Sequence, residues 1–201
     1  MHDYSIDRHP KEKILFLLAL VAILVAPTID RLARHLIISL DLNGTWALLA
    51  AISVFGLFWT VYTVFDRYLW KIRLLRRILL VPDLNGRWAC TGQTILKSGN
   101  PAEMDWSAVI TITQSWSRIL IHLKTENSES SSVAASISRV VGVGYCLLYE
   151  YQNKPVANQL ELNMHSGSAE LSFHENGCEA SGYYFTDQHR QTVGMMTLTK
   201  E

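Results

Sequence analysis

Trp46 to Phe65 is a run of twenty residues without a charge or a proline. At about 1.5 Å of rise per residue, a helix over it measures roughly 30 Å, the thickness of a bilayer's hydrocarbon core. A second apolar run, Ile14 to Ile29, lies just upstream. Past Pro82 the hydrophobic period changes from helical to alternating. The chain therefore reads as a two-span membrane anchor over residues 1–82 with a basic juxtamembrane helix, then a β domain over 83–201.

A net charge of zero hides an asymmetry between the halves. Residues 1–82 hold ten Lys/Arg against six Asp/Glu, and residues 83–201 hold eight against twelve. A basic anchor suits anionic lipid headgroups. An acidic β domain argues against a DNA or RNA polymer, whose binders carry a basic footprint. A small anionic ligand needs only one or two well-placed arginines. Cys90, Cys146 and Cys178 are scattered, with no CxxC spacing. They read as small buried side chains in a reducing compartment, not as a disulfide framework or a metal site.

Arg8, Lys11 and Lys13 precede the first run, as in a signal peptide, but a second full span directly after it argues against simple secretion. Ile14–Ile29 reads as a short first span, which Pro27 kinks or ends. In the connection, Leu32, Leu36, Ile37 and Leu40 share a helical face, with Arg31, Arg34 and His35 elsewhere on the helix. That pattern fits a short interfacial helix, or else an extension of the first span. Basic residues before the first span and after the second (Arg67, Lys71, Arg73, Arg76, Arg77) outnumber those in the connection. Both termini are then expected in the cytosol, with the protein multi-pass in a bacterial inner membrane. Asp66–Val81 reads as an extension of the second span or a juxtamembrane helix, leading rigidly to the β domain and ended at Val81-Pro82-Asp83. Neither run contains Asp, Glu, Lys or Arg, so no ion pathway is legible.

From Leu84 on, nine alternating stretches appear: 86–95, 106–114, 118–126, 132–139, 145–152, 159–165, 169–175, 179–185 and 192–200. Turn-rich separators divide them: Lys97–Pro101, Asn127–Ser131, Asn153–Pro155, Ser166-Gly167 and the hairpin signal Asn176-Gly177. Eight or nine short strands without intervening helices predict an antiparallel barrel, and sequential hairpins favour the up-and-down kind. The fold class is thus membrane-anchored all-β: two N-terminal transmembrane helices, then an up-and-down barrel of about eight strands. Such a barrel fills its interior or holds one small ligand.

No catalytic or metal spacing is present. The seven histidines lie far apart, and the serines of 127–132 resemble a solvated loop. The chain reads as a non-enzyme without a cofactor. Candidate ligand contacts are Arg118, His122, Trp116, Arg139, Tyr145, Tyr149 and Arg190; Trp106, flanking a strand with Trp116, and Tyr151, alternating with Tyr145 and Tyr149, belong to the same aromatic pattern. Aromatics stack on nucleobases and arginine matches phosphate geometry. Strands favour aromatics for packing as well, so each of these residues also has a purely structural reading. Trp88 reads as a plug across the barrel floor.

The order of parts, with Pro82-Asp83-Leu84-Asn85-Gly86-Arg87-Trp88 opening the β domain, resembles one bacterial family. These are the two-transmembrane, β-strand-rich effectors of CBASS, the cyclic-oligonucleotide antiphage defence system. The resemblance implies that a partner nucleotidyltransferase, a CD-NTase, makes a cyclic di- or trinucleotide. The barrel binds this activating ligand, the protein forms a homo-oligomer in the lipid bilayer, and the inner membrane is disrupted, causing cell death. A short first span would let crowded spans thin the bilayer. The competing reading is a membrane-anchored, lipocalin-like barrel for a lipophilic small molecule, which needs an apolar cavity.

Overall fold

The computed structural model describes residues 1–39, 54–96, 104–142, 144–155, 165–174, 177–188 and 191–201. The chain divides into two units, one of Met1–Asp7 with Leu80–Glu201 and one of Arg8–Leu79.

The first unit holds β1 (His2–Asp3), β2 (Ser5–Ile6), β3 (Gly86–Leu96), β4 (Met104–Gln114) and β5 (Arg118–Lys124). It continues with β6 (Ser128–Val140), β7 (Gly144–Pro155), β8 (His165–Phe173), β9 (Glu179–Thr186) and β10 (Thr192–Lys200). Each of β3 to β10 pairs antiparallel with its sequence neighbour, β10 returns to β3, and β5 also pairs with β6. The expected eight-stranded barrel is therefore closed. Alternation does the work. Cys90, Ile110, Ile121, Leu147, Leu171 and Leu198 share the inward phase and are buried. Trp88 plugs one end as expected. Its ring meets Phe173 edge to face at 5.2 Å, its Nε1 donates to Leu84 O at 3.2 Å, and Lys200 Nζ lies 5.2 Å above it.

Four stretches differ from the expected strands. Ser166-Gly167 is no turn, because both residues lie inside β8, paired with Gln152 and Tyr151. Asn127–Ser131 is no solvated loop past its first residue, because β6 starts at Ser128. Ser130 and Ser132 take the inward phase and are buried, while Ser131 bonds His122 on the outside. Asn153–Pro155 is no turn either. Asn153, Lys154 and Pro155 pair with Ser130, Glu129 and Ser128, and the proline sits at the strand's last position. Of the stretch 159–165 only His165 is described, as the first residue of β8. The Lys97–Pro101 separator and Asn176 lie outside the described residues, while Gly177 takes φ +68° in the β8–β9 turn.

The first seven residues, read from sequence as anchor, pair with the barrel. β1 runs antiparallel to β5 and β2 parallel to β6. Tyr4 is buried, its hydroxyl donating to Ser115 O at 3.3 Å and accepting from Gln114 Nε2 at 3.0 Å. No hydrophobic run announces so short a strand.

The second unit contains α1 (Lys11–Ser39), α2 (Val54–Arg67), a 3-10 turn (Leu69–Lys71) and α3 (Arg73–Leu79). α1 runs unbroken through Pro27 for 29 residues, roughly 43 Å. The first span is thus not short, and the connection up to Ser39 extends it instead of forming a separate interfacial helix. Among the described residues, Lys11–Leu36 is the one helix long and apolar enough to cross a membrane. Phe16, Leu17 and Leu24 are exposed on it, unlike the side chains of a core helix. Residues 46–53 of the second run lie outside the described residues, and its remainder is α2. There Thr60 and Thr63 donate their hydroxyls to Gly56 O and Trp59 O, satisfying both polar groups within the helix. The expected rigid extension over Asp66–Val81 is interrupted: Ile72 turns to ψ 128° between the 3-10 turn and α3.

Candidate ligand-binding site

The end of the barrel opposite Trp88 is hollow. A cavity of about 510 Å³ opens where β5 turns into β6. Trp106, Tyr149, Tyr151 and Tyr184 bring aromatic faces to it, from β4, β7 and β9. Thr94, Ser128, Ser130, Asn153, Thr186 and Thr192 add neutral hydrogen-bonding groups.

Inward alternation fixes these positions. Trp106 shares the phase of Ala108, Ile110 and Ile112, and Tyr151 that of Leu147 and Tyr149. Trp106 Nε1 donates to Tyr184 Oη at 3.2 Å, and the two rings meet edge to face at 5.7 Å. The hydroxyls of Thr94 and Tyr184 share a hydrogen bond of 2.5 Å. The Tyr149 and Tyr151 rings lie 6.1 Å apart. Gly92 faces the Trp106 ring so closely that a Cβ there would collide with it. Thr192 N donates to Thr186 Oγ1 at 2.8 Å, and the two hydroxyls bond at 2.9 Å, drawing the start of β10 to the end of β9.

The cavity floor is kept neutral. Burial raises the Tyr149 phenol well above its usual range, with smaller contributions from Tyr151 and Cys90. Burial likewise pushes the Cys90 thiol up to about 12. Both groups hold their protons at neutral pH. Among the described residues lining the cavity the charged side chains are Asp105 and Glu126, with no Lys or Arg.

Of the seven candidates, Tyr149 lines this cavity. Tyr145 also faces inward, but near the plugged end, opposite Phe173. Arg118 and His122 point out of the barrel. Arg118 Nε pairs with Asp3 at 3.3 Å, and His122 Nδ1 lies 3.1 Å from Ser131 Oγ. Trp116 is buried in the β4–β5 turn, and Arg139 is exposed on β6 opposite Tyr145. Arg190 lies outside the described residues, in the connection between Thr186 and Thr192. Trp106 and Tyr151, part of the aromatic pattern legible in the strands, line the cavity too, and Tyr184 was passed over. Their phase relative to the isoleucines of β4 and the leucines of β7 was the available signal.

A closed barrel with one plugged end and one aromatic, hydroxyl-lined cavity defines a small-ligand-binding β-barrel, here in a chain that also carries an apolar helix. Residues 79–200 match the family described as Cap15, cyclic dinucleotide receptor domain. The chain is 37% identical over 149 residues to CD-NTase-associated protein 15 of Yersinia aleksiciae, spanning 74% of this chain and 70% of that protein. It belongs to the Cap15 family, and with it to the CBASS effectors that its order of parts resembles.

Proposed function

We propose that this chain is a non-enzymatic sensor: the barrel binds a cyclic dinucleotide made by a CD-NTase, and the membrane unit carries out the antiphage response. The observation that carries the reading is the 510 Å³ cavity with its four aromatic side chains. Its mixed lining of rings, hydroxyls and an amide suits bases, which present both faces to stack on and edges to bond. A carrier of lipophilic molecules needs a more uniformly apolar wall.

A neutral floor is a poor place for two phosphates. The bases enter between Trp106, Tyr149 and Tyr184, and the phosphodiesters stay at the mouth in water. Arg190, by its place between two cavity-lining threonines, is the proposed phosphate partner.

The proposed topology is supported by connectivity. Met1–Asp7 belongs to the barrel unit, as does Leu80–Glu201. This favours a chain that leaves and re-enters the same side of the bilayer, with an even number of crossings in Arg8–Leu79. His9 Nδ1 lies 3.1 Å from Leu79 O, which puts the two ends of the membrane unit side by side. A return crossing through Trp46–Phe65 completes the pair. The basic flanks favour a cytosolic barrel on the inner membrane. The bound state then assembles into a homo-oligomer and disrupts the bilayer, which requires that the ligand bind the assembled state more tightly.

The test is calorimetry of the full chain in lipid nanodiscs against a panel of cyclic dinucleotides and trinucleotides, with dye release from liposomes alongside. One cyclic dinucleotide is expected to bind tightly, to raise the mass by light scattering and to release dye. Binding of long-chain lipids with no response to any nucleotide would overturn the reading in favour of the carrier.

A further inference from the structure

Resting on the sensing role above, we propose that His2–Ile6 is a releasable latch in the barrel wall, through which occupancy of the cavity is passed to the membrane helix α1.

β5 and β6 pair directly at three register positions: His122 with Ser131, Leu123 with Ser130, and Lys124 with Glu129. Beyond these the two strands part, and the opening segment of the chain fills the wedge. His2 and Asp3 pair with Ile119 and Arg118 on one side, and Ser5 and Ile6 pair with Ser136 and Ile137 on the other. Without it, both strands would present unpaired backbone edges. The parting coincides with a register shift in β6 between Ser132 and Ala134. Bulges bend a strand in this way.

Ser132 is the junction. Its Oγ accepts from Ile121 N at 2.9 Å, on the direct seam, and lies 2.7 Å from His2 Nε2, on the latch. The direct seam is also the cavity wall: Leu123, Ser128 and Ser130 line the cavity, with Thr125–Asn127 of the turn between the strands. A ligand that presses on this wall at Ser130 acts two residues from Ser132, whose side chain holds the latch. The latch is short, with two backbone pairs on each side and one buried side chain, Tyr4. Elements of that kind open before the rest of a domain. Only Asp7, Arg8, His9 and Pro10 separate Ile6 from the first residue of α1. Release of the latch therefore changes the tether of α1 directly.

The test is a disulfide staple across the register pair Asp3 and Arg118, which lies on the outside of the barrel away from the cavity. Cross-strand partners have Cα atoms about 4.5–5.5 Å apart, within reach of a disulfide. The full chain carrying D3C, R118C and C178S is reconstituted in liposomes and compared oxidised and reduced, with wild type alongside. The oxidised staple is expected to bind ligand several-fold more weakly, because the ligand favours the released latch, and to lose dye release about tenfold or more even at saturating ligand, with recovery of both in reductant. Tyr4→Ala, which loosens the latch, is expected to release dye at about tenfold lower ligand. Equal dye release from the oxidised and reduced staple would overturn the latch while leaving the sensor standing. A wild-type chain that binds no cyclic nucleotide would overturn both.

Discussion

Trp106 donates its indole N–H to the Tyr184 hydroxyl at 3.2 Å, and the same hydroxyl bonds Thr94 at 2.5 Å. One phenol thus fixes a ring on β4 and a hydroxyl on β3 from across the barrel. Tyr184→Phe keeps the ring and removes the anchor. It leaves two polar groups short of a partner, at a cost of about 1–3 kcal/mol. Calorimetry is expected to show ligand affinity falling about tenfold as Trp106 loses its fixed orientation. The melting temperature should fall only modestly.

Two glycines separate cavity shape from fold. A methyl at Gly92 meets the Trp106 ring, and one at Gly182 meets the Glu170 carbonyl of the neighbouring strand. A side chain can move; a ladder carbonyl cannot without breaking pairs. Gly92→Ala is expected to weaken ligand binding with a melting loss of about 1–3 kcal/mol, the usual cost of overpacking. Gly182→Ala should cost more stability than Gly92→Ala. Thermal melts of both variants, with calorimetry on the folded fraction, check the order.

Two candidates away from the cavity give the contrasting case. His122 points out of the barrel wall, and Arg139, on the phase of the inward Ile137, sits exposed at the plugged end. Ala at either position should leave nucleotide affinity within about twofold, since surface changes of this kind cost under 0.5 kcal/mol. Arg190→Ala, by contrast, is expected to weaken binding about tenfold or more by removing the phosphate partner. Calorimetry of the three variants side by side decides whether the ligand sits within the wall or against it.

The barrel was legible because a half-buried strand advertises itself by alternation. Ile110, Ile112, Leu171 and Phe173 recur at every second position of their strands, and all four are buried. The site was less legible because alternation without register does not say which face is inside. Arg118 and His122 share a phase with Leu120, and only pairing with β4 and β6 sets that phase outward. Serine obscured β6, since a small polar residue fits a wall between cavity and solvent as well as it fits a loop. Pro27 looked like a terminator by its soluble-helix behaviour, yet a proline inside an apolar helix is tolerated where neighbouring groups satisfy the freed carbonyl. The latch carried no signal at all, because two pairs of extended residues have no period to detect.

Alkaline pH should unseat the barrel floor. The Cys90 thiol, ordinarily near 9.0, is pushed up to about 12 by burial. A raised folded-state value means that the native state holds its proton where the unfolded chain has already lost it. Stability is therefore fully present below pH 9.0 and declines as pH rises towards about 12. Tyr149, also raised by burial, adds to the decline with the same sign. Near-ultraviolet circular dichroism melts at pH 7, 9 and 10.5 should show this fall in wild type. Cys90→Ala should show a shallower fall, with the Tyr149 part remaining. Parallel curves for the two proteins would mean that Cys90 ionises as freely in the folded barrel as in the open chain.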